Sequence, residues 1–395
     1  MHAAARGRRV RAQPQFATGL RCLKCGGAAD FALDAYLCPR CDEADGDPGV
    51  LDVTYDYASA AAAFPSDARA GTDGMFRYAA LLPVAPAGSL LPAGGTPLVP
   101  APRLARRLGL RNLYLKDDTR SATRCFKDRA TAIAISIAAA LGRRDLYCAS
   151  AGNAAISLAG YCAHAGLGCH VFVPARASAT RLAALRRYGA DVTVSPGDYD
   201  QAFAEAEAAG LANGWYSRNC ALNPFLVEGK KTAAYEIAEA MDWEVPDLVV
   251  APVGDGCILS SMGKGFRELR EMGMTDSVPR LLGVQSEGVH PMVARWNGWP
   301  EPEVGRSEAA SIAVRRPRNA LRLMAELTTA RGRMMTVPDS AMASAATALA
   351  QEAGTVVELT AAASLAALTS LAEHESLEGR TAVLVLTGGR VDTDA

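Results

Sequence analysis

Between about residue 112 and residue 386, short apolar segments alternate with helix-periodic ones, and no other feature limits the available folds as much. Residues 112–116, 146–149, 169–173, 192–194, 248–253, 281–284 and 383–386 read as strands, with helical patterns beginning near Lys127, Asn153, Ala179, Tyr199, Val227, Ile258 and Ala361. A helix between two strands carries the chain back across the sheet, so the strands run parallel and both sheet faces are covered. The units are too many for one small sheet. The pattern therefore predicts an α/β chain of two three-layer α/β/α domains with a cleft between them. A chain of 395 residues, half of them hydrophobic, can fill both cores. There is no internal repeat, and the alanine-rich stretches keep helical periodicity.

Ahead of this body lie Cys22-Leu-Lys-Cys25 and Cys38-Pro-Arg-Cys41, two knuckles twelve residues apart in a zinc-ribbon-like segment over 20–50. Four thiolates in two tight turns suit tetrahedral zinc in a structural clip. The spacer is slightly shorter than the commonest ribbon spacing, which leaves a metal-free remnant or a redox pair as alternatives. Residues 51–95, rich in Ala, Pro and Gly, read as an arm lying over the body, and residues 1–19, with Arg6, Arg8, Arg9 and Arg11, as a disordered basic tail. A net charge of −1 with interspersed signs argues against an extended nucleic-acid surface. No apolar run is long enough for a bilayer, and the tail lacks the core of a secretory signal. Its Arg-rich, acid-free start is shared with transit peptides but is short. The six cysteines outside the knuckles are scattered, which suits a reducing compartment. The expected setting is the cytoplasm, with a small-molecule partner and neither nucleic acid nor membrane.

Lys127 falls in the first turn of a helix whose Ala130, Ile133, Ala134, Ile137, Ala138 and Leu141 keep the spacing of one buried face. First-turn N–H groups favour an anion such as Asp128, and their field together with burial pushes an ammonium toward the neutral amine, which can form a Schiff base. Alone, the residue also reads as a lysine snorkelling from a helix end. Ser150-Ala151-Gly152-Asn153-Ala154 follows a strand at its carboxyl end, where open parallel sheets bind ligands; Asn153 either donates to an oxygen or caps a helix. Val253-Gly254-Asp255-Gly256-Cys257 joins a strand to a helix, as a phosphate cup or as a plain turn. It lacks a Walker lysine and the full dinucleotide fingerprint, and Asp255 opposes phosphate unless its carboxylate turns away. Thr387 is a turn former or a neutral partner for a ring nitrogen.

These segments occur in order with Gly95-Thr-Pro-Leu98, Leu115-Lys-Asp-Asp118, Phe126-Lys-Asp-Arg129, Asn223-Pro-Phe-Leu-Val-Glu-Gly-Lys-Lys-Thr232, Gly263-Lys-Gly-Phe266, Val284-Gln-Ser-Glu-Gly288 and Leu386-Thr-Gly388. From about Gly95 to Asp392 the chain thus resembles the fold type II pyridoxal-phosphate enzymes, the tryptophan synthase β family, and among them the threonine synthases. The cysteine ribbon is similar to that of many threonine-synthase-like chains. The resemblance implies pyridoxal 5'-phosphate held covalently by Lys127, which also shuttles protons. It implies that Asn153 meets the pyridine 3-oxygen, that Gly254, Asp255, Gly256 and Cys257 bind the phosphate through main-chain N–H groups, and that Thr387 faces the ring nitrogen. A hydroxyl there suits elimination and replacement over transamination. Ser150, Ala151 and Asn223 would receive the substrate. A large domain of residues 96–140 and 213–395, a small domain of 141–212 and a homodimer are further implications.

Several positions depart from the family pattern. Arg124-Cys125 stands where Gly-Ser is usual, Ala151 where Thr is, Leu359-Thr360-Ala361 where Pro-Ala-Ser follows the glutamate, and Gly389-Arg390 where His-Gly is. Leu226 replaces an arginine suited to the phosphate of O-phosphohomoserine. Losing such a charge-assisted contact costs about 1.5–3 kcal/mol unless Arg124, Arg218 or Lys230 takes it over. The expected activity is that of a carbon–oxygen lyase converting O-phosphohomoserine and water to threonine and phosphate. The alternatives are β-elimination or β-replacement on serine, threonine, phosphoserine or a specialised amino acid, and a non-catalytic binding protein on the same fold.

Overall fold

The structure is a computed structural model that describes residues 15–42, 46–64, 74–303 and 305–389. Arg6, Arg8, Arg9, Arg11 and the stretch from Arg390 to Asp392 lie outside the described residues. Strands follow in the order β1 (Ala17–Cys22), β2 (Ala28–Ala29), β3 (Leu51–Tyr55), β4 (Leu98–Pro100), β5 (Asn112–Asp117), β6 (Asp145–Ala149) and β7 (Gly168–Pro174). After them come β8 (Asp191–Ser195), β9 (Tyr216–Ser217), β10 (Leu248–Pro252), β11 (Arg280–Ser286), β12 (Arg333–Val337) and β13 (Thr381–Leu386). They form an antiparallel sheet β2-β1-β3, a six-stranded sheet β12-β11-β10-β13-β5-β4 that is parallel except for β4, and a parallel sheet β8-β7-β6-β9. β10 and β13 are buried at every residue, as central parallel strands covered on both faces must be. Among the described residues no helix is long and apolar enough to cross a membrane.

Two expected boundaries move. Ala17–Cys22 is strand rather than tail, because Ala17 and Leu20 are buried and the segment pairs with β3. β9 lies beyond residue 212 yet hydrogen-bonds to β6, so the smaller sheet takes its edge strand from there. The helix Lys127–Ala140 also differs from the single buried face expected of it. Ala132, Ile135 and Ser136 on its other side are buried too, because it packs against both Phe225–Ala240 and Asn153–Ala165. A helix of alanines and isoleucines buried all round is a seam between two bodies.

Charged side chains tie this helix to Phe225–Ala240 and to the end of β5. Arg129 Nε donates to Asp118 Oδ1 at 2.7 Å and Arg129 Nη2 to Glu236 Oε2 at 2.7 Å, while Lys116 Nζ reaches the same Glu236 oxygen at 2.6 Å. A second cluster fastens the N-terminal sheet to the body: Lys264 Nζ bonds Glu228 Oε1 at 2.7 Å and Asp52 Oδ1, on β3, at 2.8 Å. On the ribbon, the Phe31 and Tyr36 rings meet Phe225 and Tyr216 edge-on, at centroid distances of 5.6 and 5.9 Å.

Candidate active site

A cleft of about 500 Å³ opens where β6, β10 and β13 end, and Lys127, Asn153, Gly254, Cys257, Glu358 and Thr387 all line it. The last strand positions the lysine. Phe126 N–H donates to Thr387 O at 2.9 Å and Gly389 N–H to Arg124 O at 3.0 Å, so the chain entering the lysine helix is stitched to the end of β13. Burial, and next the Lys230 charge, push the Lys127 ammonium below the ordinary lysine value. Burial was legible in the sequence, whereas the second lysine arrives from another helix. A neutral amine in a cleft is a nucleophile and a proton carrier.

Thr387 Oγ1 is buried without a hydrogen-bond partner among the described residues. Such a hydroxyl carries a desolvation cost until a polar atom meets it, so it has unused capacity toward whatever enters the cleft. Asn153 does not cap its helix. Gly152 is the N-cap residue, and Asn153 Nδ2 instead donates to Glu358 Oε1 at 2.9 Å. Burial pushes the Glu358 carboxyl up. Only glycine fits between them: a Cβ on Gly388 would lie 2.5 Å from Glu358 Oε1 and 2.9 Å from Asn153 Nδ2.

The turn after β10 opens a helix, and first-turn N–H groups have no partner within the helix. Gly256 has φ +88°, a left-handed conformation that favours glycine, and the helix Cys257–Glu271 starts directly after it. Asp255 is turned toward the 318 backbone, accepting from Arg318 N–H at 3.2 Å, which removes the objection its carboxylate raised. In the loop after β6, Ser150 Oγ accepts from Gly152 N–H at 3.1 Å and Ala151 O accepts from Arg181 Nη1 at 3.2 Å. These residues suit pyridoxal 5'-phosphate: an amine, a neutral hydroxyl, an amide and a phosphate-sized turn share one cavity.

Asn223 is the exception among the expected site residues, and the expectation is corrected. It is fully buried away from the cleft, donating to Tyr216 Oη at 3.0 Å and Ser217 O at 2.9 Å and accepting from Phe225 N–H at 3.1 Å. The Asn-Pro turn consumes the side chain. Leu226 is likewise buried in the core, and Arg124 is exposed outside the cleft, while Arg218 and Lys230 line it. Arg218 Nη2 donates to Lys127 O at 3.1 Å. With Arg176 and Arg181, four cations besides Lys127 face two acids, Asp255 and Glu358, across the lining. Arg181 and Cys220 carried no signal in the sequence that marked them for the site, and Glu358 was marked only as the retained glutamate of a family motif whose next positions depart.

The ribbon forms a separate centre. The four sulfurs of Cys22, Cys25, Cys38 and Cys41 lie within 4.8 Å of one another, with Cys22–Cys41 at 3.7 Å and Cys25–Cys38 at 3.9 Å. Thiolates about 2.3 Å from a tetrahedral zinc would stand about 3.8 Å apart. The donor set and spacing fit that ion.

Residues 90–388 match the family described as pyridoxal-phosphate dependent enzyme, and the chain belongs to it. Within that class it is similar along nearly its whole length to threonine synthases. It is 34% identical to threonine synthase of Methanosarcina acetivorans over 382 residues, 95% of this chain and 92% of that protein. To threonine synthase of Methanocaldococcus jannaschii it is 32% identical over 93% of this chain and 91% of that one. Among solved structures, a T.th. threonine deaminase superposes with a TM-score of 0.63 at 26% identity, over 76% of this chain and 94% of that one. The expected α/β architecture and the fold type II resemblance are both borne out.

Proposed function

We propose that this protein converts O-phosphohomoserine and water to threonine and phosphate. One observation carries the reading: Lys127, pushed toward its neutral amine, shares a cleft with the Thr387 hydroxyl, partnerless among the described residues, and the Gly254–Cys257 turn. Lys127 holds the cofactor and carries protons to and from the substrate carbons. Main-chain N–H groups of Gly254, Asp255, Gly256 and Cys257 hold the phosphate, Asn153 braced by Glu358 orients the ring, and the Thr387 hydroxyl meets its nitrogen. Bound pyridoxal phosphate supplies the electron sink that lets bonds at the substrate carbons break. Ser150 and Ala151 receive the substrate carboxylate. Lys230, Arg218 and Arg181 supply positive potential for a second anionic group, in place of the buried Leu226.

The test is to incubate the cofactor-loaded enzyme with O-phosphohomoserine and measure both products. Equal amounts of phosphate and threonine are expected. The absence of phosphate, with a keto acid formed from serine, threonine or phosphoserine, would overturn the proposal in favour of β-elimination, a reading also supported by the likeness to a threonine deaminase.

The same proposal places zinc at Cys22, Cys25, Cys38 and Cys41 as a structural clip. Because Asp52 and the Phe31 and Tyr36 rings anchor that segment to the body, stripping the ion with a chelator is expected to lower the melting temperature by several degrees. Zinc should restore it, and turnover per folded molecule should change less than stability does. A chelated enzyme that stays folded at full stability but loses turnover would contradict the structural role.

A further inference from the structure

We propose that Cys220 and Cys257 form a thiol oxidation site in the cleft wall, where a small hydroperoxide oxidises Cys220 and Cys257 then closes a disulfide with it. Lys230 Nζ lies 2.8 Å from Cys220 Sγ, and Lys230 is only 2% exposed, so the lysine has little contact with water to compete with the sulfur. From the other side, Cys257 Sγ approaches Cys220 O at 3.5 Å. All three residues line the cleft, which gives a molecule the size of a hydroperoxide a route to the sulfurs. Neither thiol has a part in the proposed turnover, which uses only the main chain of Cys257.

Cys220 differs from Cys125 and Cys148, and from Cys257 itself, whose thiol the Cys220 sulfur and burial push well up. Burial pushes the Cys125 and Cys148 thiols up to about 12 each, which leaves them inert at neutral pH. Cys220 shifts the other way: the neighbouring Cys257 side chain, and then the Lys230 and Arg218 charges, outweigh burial and hold it well below the ordinary thiol value. Thiolate character together with access to a cleft is what selects one cysteine for oxidation.

The chemistry balances without a further reagent. The Cys220 thiolate attacks a peroxide oxygen. An S–O bond forms as the O–O bond breaks, and the leaving hydroxide or alkoxide takes up a proton as water or alcohol. The Cys257 sulfur then attacks the sulfenic acid; the S–S bond forms, the S–O bond breaks, and the thiol proton departs with the hydroxide as water. Two electrons pass from the two sulfurs to the peroxide, and a dithiol reverses the change.

The test treats the zinc-loaded holoenzyme with one equivalent of hydrogen peroxide, alkylates the remaining thiols and maps the peptides by mass. The expected product is a Cys220–Cys257 cross-linked peptide, formed while Cys125, Cys148 and Cys162 stay reduced and lost after dithiothreitol. In Cys257→Ser the reaction should stop at a sulfenic acid on Cys220 that dimedone traps. With the unmutated chain, iodoacetamide at neutral pH should alkylate Cys220 at least about tenfold faster than Cys148. Alkylation of Cys220 no faster than Cys148, or a Cys220 that stays reduced when Cys148 or Cys162 is oxidised, would overturn the proposal. These mass readings do not depend on which reaction the enzyme catalyses, so their failure is separate from a failure of the proposed turnover.

Discussion

Replacing Lys127 by alanine is expected to lower turnover by on the order of 10⁴-fold or more while the protein still folds. The side chain reaches the cleft and takes no part in the buried ion clusters, and alanine is the best residue for the helix turn it occupies. In the proposed function, what the substitution removes is the amine that holds the cofactor and moves protons. Lys127→Arg sharpens the test. An arginine keeps the positive charge and much of the length but never becomes a neutral amine, so it should be as inactive as alanine. An arginine variant with substantial turnover, at unchanged far-ultraviolet dichroism, would mean that position 127 contributes charge alone.

The second large effect falls on stability. Glu236 accepts from Lys116 Nζ at 2.6 Å and from Arg129 Nη1 and Nη2 at 2.7 Å each, all buried, and from Gly95 N–H at 2.8 Å. Glu236→Ala leaves two buried cations with Asp118 as the remaining acid, and the loss of one partner from such a set costs about 3–5 kcal/mol. The shift should appear in the urea midpoint with the slope unchanged. The pH dependence follows from the same contacts. Burial raises the Glu236 carboxyl, but the Arg129 and Lys116 charges more than offset it and hold it well below its ordinary value of 4.5. A carboxyl depressed in the folded state contributes its full stability above that ordinary value and loses it as the pH falls toward the folded one. The wild-type chain should therefore lose stability steeply below pH 4.5, and Glu236→Ala less steeply. Equal slopes for the two proteins would show that this network does not set the acid limit.

The network also explains what the sequence could and could not tell. Every strand expected of the α/β body forms, because a segment such as Leu248–Pro252, apolar at all of its positions, has no stable place outside a covered sheet. That Lys127, Asn153, the Gly254–Cys257 turn and Thr387 come to one cleft was legible for a related reason. Each follows the end of a strand or opens a helix, where parallel folds put their ligands. The charged motifs were read correctly as marks of kinship, yet much of their substance is structural. Lys116, Asp118, Arg129 and Glu236 tie the Lys127–Ala140 helix to Phe225–Ala240 and the end of β5, and Lys264 ties the N-terminal sheet to the body. Nothing local reveals this, since Arg129 finds Glu236 at a separation of 107 residues and Lys116 finds it at 120.

Partners brought together only by folding account for the misses as well. Glu358 stands before an apolar helix and reads as an ordinary helix start until Asn153, 205 residues away, is placed against it. Lys230 sits on a helix buried from Phe225 to Ala238, where periodicity distinguishes no face, so its approach to Lys127 and Cys220 is a product of packing. Asn223 failed in the opposite sense: a polar residue beside a proline looked available for a ligand, and the turn it builds uses every polar atom it has.

The account rests on one covalent attachment. Reducing the cofactor-loaded enzyme with borohydride, digesting it and mapping the pyridoxyl label by mass tests that attachment directly. The label is expected on Lys127 alone. A label on Lys230 or any other lysine, or a protein that takes up no pyridoxal 5'-phosphate at all, would contradict it.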